Sequence, residues 1–154
     1  MPLTVEDASG LEAADSYVTL AHYQSYAAAR GWGAADESQD EINLRKAFDA
    51  LNRLWSFTGE KVTEAQAGAF PRTDRDGVPT DVKLAQIELA HRIAGGLDPF
   101  ATQEQSVTRS KRKVGPIETE TETLPTGSPR LVAVEALLGP FLAAGAGQIR
   151  LVRG

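Results

Sequence analysis

Apolar residues recur at helical spacing in three stretches of this chain. In the clearest, Leu44, Ala47, Phe48, Leu51, Leu54 and Trp55 follow the i, i+3, i+4, i+7 repeat of an amphipathic helix. Phe48 and Trp55 are the bulkiest apolar groups on that stripe and the natural nucleus of a core. Asp40 is placed to cap this helix, Glu41 to sit in its positive first turn, and Gly59 to stop it. Thr63-Glu64-Ala65-Gln66 then has the form of a capping box. It predicts a one-turn helix ending before Pro71, because a residue preceding proline is pushed out of the α region.

Upstream, Thr19 is a good cap for a helix with Leu20, Tyr23 and Ala27 on one face, running to Arg30 and stopped by Gly31. Downstream, the turn cluster Thr73 to Thr80 leads to a helix capped by Thr80 or Asp81. Its face is Val82, Ala85, Leu89 and Ile93, with Gln86 at the edge, and Gly95-Gly96 ends it. Three helices with short links make an antiparallel bundle the natural solution. Its core is expected at Phe48, Leu51, Leu54, Trp55, Val82, Leu89 and Ile93.

The pattern changes after Phe100. Ser106 to Thr123 alternates β-branched and charged residues around Gly115-Pro116, which predicts a β-hairpin. Arg109, Lys111, Arg112 and Lys113 lie on its first arm and Glu118, Glu120 and Glu122 on its second, so pairing would partly neutralise both. Few apolar residues could anchor it, and it is expected to project. Ser128-Pro129 is a helix start, with Val132, Leu137, Leu138 and Phe141 following. The final residues, Gln148, Ile149, Arg150, Leu151, Val152 and Arg153, alternate with period two. They read as a strand tethered by Gly145-Ala146-Gly147 that docks onto a partner. The expected fold is mainly α: a small antiparallel bundle with a projecting β-hairpin, a C-terminal helix and an extended tail. Its divisions are an extended arm (1–16), the bundle (17–100), the hairpin and linker (101–127), and the last helix with the tail (128–154).

Composition narrows the function. The 154 residues carry a net charge of −5 and a pI of about 5.1, which argues against a surface that grips nucleic acid everywhere. There is no cysteine, hence no disulfide framework or thiolate metal site, which suits a cytosolic origin. MPLTVEDASG is no signal peptide, and no apolar run approaches the roughly 20 residues that span a bilayer. A soluble protein without membrane contact is expected.

Candidate chemistry is sparse. His22 and His91 are the only histidines and have no HxxxH or HxxE partner, so surface or core-edge packing is the plainer reading. Phosphate-binding and nucleophile-elbow glycine motifs are missing. Asp74, Asp76 and Gly77 lack the remaining ligands of a calcium loop. No catalytic, metal or cofactor residues are assigned, and no enzyme is expected. The basic run Arg109, Lys111, Arg112 and Lys113 could contact phosphate without reading sequence, or could simply be balanced by the glutamates. Tyr17, Tyr23, Tyr26 and Trp32 could stack on bases, although aromatics at helical spacing more often pack.

One ordered set of residues does suggest an identity. Ser16-Tyr17-Val18-Thr19-Leu20 precedes a Tyr-Ala-rich helix and Gly31-Trp32. Trp55, Gly59, Gln66, Phe70-Pro71-Arg72 and Gly77-Val78-Pro79 follow. Val114-Gly115-Pro116-Ile117, Leu137 to Leu142 and Ile149 to Arg153 complete the series. This series resembles the head-to-tail connector (adaptor) proteins of tailed bacteriophages, although Phe70 stands where tryptophan is commoner. The resemblance implies a non-enzymatic virion protein. It would assemble as a homo-oligomeric ring, usually a dodecamer, between the portal and the stopper or tail-completion proteins, around genomic double-stranded DNA. It would reside at the head–tail interface of the virion, and in the host cytoplasm during assembly. Arg109, Lys111, Arg112 and Lys113 would then face the DNA channel, and Gln148 to Arg153 would dock on the portal. Many such proteins carry the label DnaT-like single-stranded-DNA-binding protein, and a replication role of that kind is the alternative.

Overall fold

Four α-helices are formed among the described residues of this computed structural model, which are 1–33, 36–101, 108–114, 117–123 and 131–144. They are α1 (Leu20–Ala29), α2 (Glu37–Leu54), α3 (Thr80–Ala94) and α4 (Val132–Leu138), and a 3-10 turn, Gly139–Phe141, extends the last. The chain is mainly helical. It divides into two compact units: Met1–Pro99 with Leu131–Gly154, and Phe100–Arg130.

In the first unit α3 packs against both α2 and α4, and α1 lies along α2. Phe48, Leu51, Val82, Leu89 and Ile93 are buried where these helices meet. Tyr17, Phe70, Ile87, Val134 and Leu138 are buried with them. Leu54 and Trp55 depart from the expected core: Leu54 is 46% exposed and Trp55 only half-buried. The reason is backbone pairing. Helix α2 stops at Leu54, five residues before Gly59, and Trp55 is extended (φ −121°, ψ 145°). The extended run then pairs with the segment after α4: Thr58 N donates to Phe141 O and Ala143 N donates to Ser56 O, each at 2.9 Å. Phe57, which bridges Leu142, takes the buried place that the helical stripe gave to Trp55.

Other boundaries also move. Asp36, not Asp40, is the N-cap of α2, and Pro79 precedes α3. Thr63 to Gln66 forms a turn, not a helix. Half of the capping box survives, since Thr63 N donates to Gln66 Oε1 (3.1 Å). The Gln66 amide, however, donates to Gly68 O and Pro71 O, which holds the chain in a loop. Nor is 1–16 a free arm. Glu6 is buried and accepts from Gly10 N and Leu11 N, and Asp15 accepts from Arg45 Nε at 2.7 Å. These contacts close the segment on its own chain.

The second unit contains β1 (Thr108–Val114) and β2 (Ile117–Thr123), paired antiparallel. A projecting placement of this ladder is not supported. Ser128, Pro129 and the tail Gln148 to Arg153 lie outside the described residues.

Candidate nucleic-acid interface

Polar and aromatic side chains gather in two places in the first unit, with opposite outcomes. The first is the centre. Tyr17, 2% exposed, accepts through its hydroxyl from Ala69 N (2.9 Å) and Phe70 N (3.2 Å) and donates to Asn52 Oδ1. Burial pushes this phenol up to about 12. A Cβ on Gly68 would stand 2.6 Å from the same hydroxyl, so only glycine admits the ring there. Gln86, which the sequence put at an edge, is fully buried. Its Oε1 accepts from Tyr17 N (2.8 Å), and its Nε2 donates to Ser16 Oγ and Leu44 O. Arg72 donates to the carbonyls of Ala69, Phe57 and Gly59. Burial lowers its pKa, against the opposing pull of Asp74. Each of these groups serves the backbone of its own chain.

The second place is the edge where α1 meets α3. Tyr26 on α1 and Arg30 at its C-cap lie four residues apart, and the Arg30 guanidinium sits 3.3 Å from the centre of the Tyr26 ring. Gly31 turns the chain in the left-handed region (φ +67°) and delivers Trp32. Its indole stacks on His91 of α3, with centroids 3.7 Å apart and planes within 7°. Tyr26 meets Trp32 edge-on at 5.6 Å. The Tyr26 hydroxyl donates to Glu88 Oε1 (3.2 Å), and burial followed by Glu88 raises its pKa. Tyr26, Trp32 and His91 are all half-buried, and Arg30 is exposed. The array fastens α1 to α3, with one indole face on His91, one Tyr26 face under Arg30, and the rings otherwise half-exposed.

Beneath it is a cavity of about 330 Å³ whose wall includes Tyr23, Gln24, Ala27, Trp32 and Asp40. Asp40 is 3% exposed, and among the described residues its Oδ1 has no hydrogen-bond partner. Burial raises the Asp40 pKa, while the Gln24 side chain acts in the opposite sense.

The residues singled out from the sequence fall differently. Arg109, Lys111 and Lys113 stand opposite Glu122, Glu120 and Glu118 in the ladder register, and Arg112 stands opposite Thr119. Tyr17 and Tyr23 are buried packing residues, Tyr26 and Trp32 are half-buried and pack against the same core, and His22 is exposed on α1. His91 is a half-buried core-edge residue, as its lone position suggests, and Trp32 stacks on it. The i, i+4 spacing of Tyr26 and Arg30, just before Gly31-Trp32, was the available signal for this edge. Among the described residues no group of three His, Cys, Asp or Glu could hold a metal, and no helix is long and apolar enough to cross a membrane.

The fold and this edge describe a small, mainly helical protein with a cation-bearing aromatic surface. The chain belongs to the family described as "Putative DnaT-like ssDNA binding protein", whose model matches residues 1–154. That description names single-stranded DNA and says nothing of a portal, a stopper or a ring. No curated protein and no solved structure matches the chain.

Proposed function

We propose that this protein binds single-stranded DNA by stacking bases on the edge formed by Tyr26, Trp32 and His91, with Arg30 supplying positive charge. The reading rests on the array itself: three half-exposed rings and a guanidinium assembled from two helices and a turn. Base–aromatic stacking tolerates any sequence because every base has a π-face. The net charge of −5 argues for an affinity that depends on stacking more than on phosphate neutralisation. The function is binding without catalysis. Fluorescence anisotropy with labelled (dT)12 tests it. Trp32→Ala should weaken binding by about 1–3 kcal/mol, the worth of one stacked base. Unchanged affinity in both Trp32→Ala and Tyr26→Ala would end this reading.

A second reading, the phage connector subunit, rests on the ordered residue strings, and the ladder register limits what its channel could use. Three of the four channel candidates stand opposite glutamates, as suits a balanced assembly element more than a DNA grip. Under this reading copies form a ring between portal and stopper at the head–tail interface of a virion. Arg112 would be the cation left for the channel, and 148–153 would dock on the portal. Electron microscopy of the purified protein with and without a portal decides it: monodisperse monomers in both would remove it.

A further inference from the structure

The cavity under Trp32 contains a feature that stacking does not use. A buried carboxylate is normally fully hydrogen-bonded, because an unpaired oxygen away from water is costly. Asp40 is only 3% exposed, yet its Oδ1 has no partner among the described residues. It lies in the wall of a space of about 330 Å³, within the roughly 300–1,000 Å³ of small-ligand sites. The other walls are suited to a flat ring: Trp32 and Tyr23 are aromatic, and Ala27 is small. Gln24, on the same wall, adds an amide with both a donor and an acceptor.

An occupant complementary to this wall has an apolar planar body and an edge with adjacent donors for a carboxylate. It also has a neighbouring acceptor for an amide N–H. Among the four bases, guanine alone has that edge: N1–H and the 2-amino group donate, and O6 accepts. Thymine has one ring N–H flanked by two carbonyls, which would face the carboxylate with repulsion. From this match we infer that the cavity is a guanine subsite, with the unpaired Asp40 Oδ1 accepting from N1–H and the 2-amino group and the Gln24 amide, which already bonds the Asp40 side chain, donating its second N–H to O6. The inference deepens, and rests on, the single-stranded DNA reading: one base leaves the stack and enters beneath Trp32 while its neighbours lie on the platform. It predicts a guanine preference at one position within otherwise sequence-tolerant binding.

Free nucleosides test the subsite separately from the strand. The full chain is titrated with guanosine, inosine and thymidine while the Trp32 indole N–H is followed by NMR, assigned by its loss in Trp32→Phe. Guanosine should shift this signal saturably and thymidine should not. Inosine, which lacks the 2-amino group, should bind about tenfold more weakly, the worth of one hydrogen bond to a charged group. Asp40→Asn, checked for a native spectrum, should abolish the guanosine shift. If it does not fold, Gln24→Leu should still narrow the gap between guanosine and thymidine. No shift with guanosine, equal shifts with thymidine, or inosine binding as well as guanosine overturns the subsite. Failure of (dT)12 to bind while guanosine binds would instead overturn the stacking reading and leave the subsite standing. With both in place, a (dT)12 in which one central dT is replaced by dG should bind more tightly than (dT)12.

Discussion

The centre of the first unit and its α1–α3 edge are built from the same kinds of residue, yet they differ in how far their side chains are exposed. Each holds a buried polar atom without a partner among the described residues, Asn52 Nδ2 at the centre and Asp40 Oδ1 at the edge. At the centre, Gln86, Tyr17 and Arg72 are buried, and their polar groups tie α3, α2 and the loops 16–18, 57–59 and 69–72 together. At the edge, Tyr26, Trp32, His91 and Arg30 stay half-exposed or exposed, and Asp40 beneath them keeps an oxygen unpaired. Buried polar groups that satisfy one another define a unique fold. Aromatic rings left half-exposed at a surface are open to a ligand. The contrast ties the centre to stability and, under the proposed reading, the edge to binding.

Substitutions at the two regions should therefore differ in kind as well as in size. The largest effect is expected from Arg72→Leu. It strands the carbonyls of Phe57, Gly59 and Ala69 and should destabilise the fold by roughly 3–5 kcal/mol in urea unfolding, since each unsatisfied buried group costs about 1–3. A loss under 1 kcal/mol would show that those carbonyls reach water and that the centre is less closed than described.

Next is the alkaline limit. Tyr17 ionises near 10.0 when unfolded but at about 12 when folded, so the unfolded chain releases this proton first. The contribution is complete below pH 10 and is lost as pH rises toward 12, at most about 2–3 kcal/mol. The wild-type urea midpoint should fall faster over that window than that of Tyr17→Phe. Parallel curves would show that the phenol is not the titrating group.

At the edge, His91→Ala should cost only about 0.5–1.5 kcal/mol of stability, the worth of one aromatic pair, while weakening (dT)12 by at least as much. Equal stability loss with no change in binding would make the array a fastening alone. The smallest effect is expected at Leu54→Ser, because this exposed residue lies outside both regions. Its unfolding midpoint should stay within about 0.5 kcal/mol of wild type. A loss of several kcal/mol would return Leu54 to the core, or to a contact between copies.

The apolar stripes of α2 and α3 were legible in the sequence because helical spacing is a local property, repeated every few residues. Phe48, Leu51, Val82, Leu89 and Ile93 lie where that spacing put them. Thr19 caps α1 as its residue type suggests, accepting from His22 N. What lay beyond local reading depended on partners far along the chain. Trp55 moved to the margin of the core because residues 56–58 pair with 141–143, and no pattern within α2 announces that. Gln86 became central because Tyr17 N and Leu44 O, 69 and 42 positions away, present a donor and an acceptor at its two ends.

The candidate site divides in the same way. The sequence by itself determined that Tyr26 on α1 and Arg30 at its C-cap lie four residues apart, and that Gly31 turns the chain before Trp32. Only the tertiary structure brought His91 from α3 onto the indole and closed a cavity over Asp40. The physical reason is that periodicity decides which face of a helix is apolar. Which side chain of another helix meets that face, and which carboxylate is left without a partner, is decided by how the helices pack.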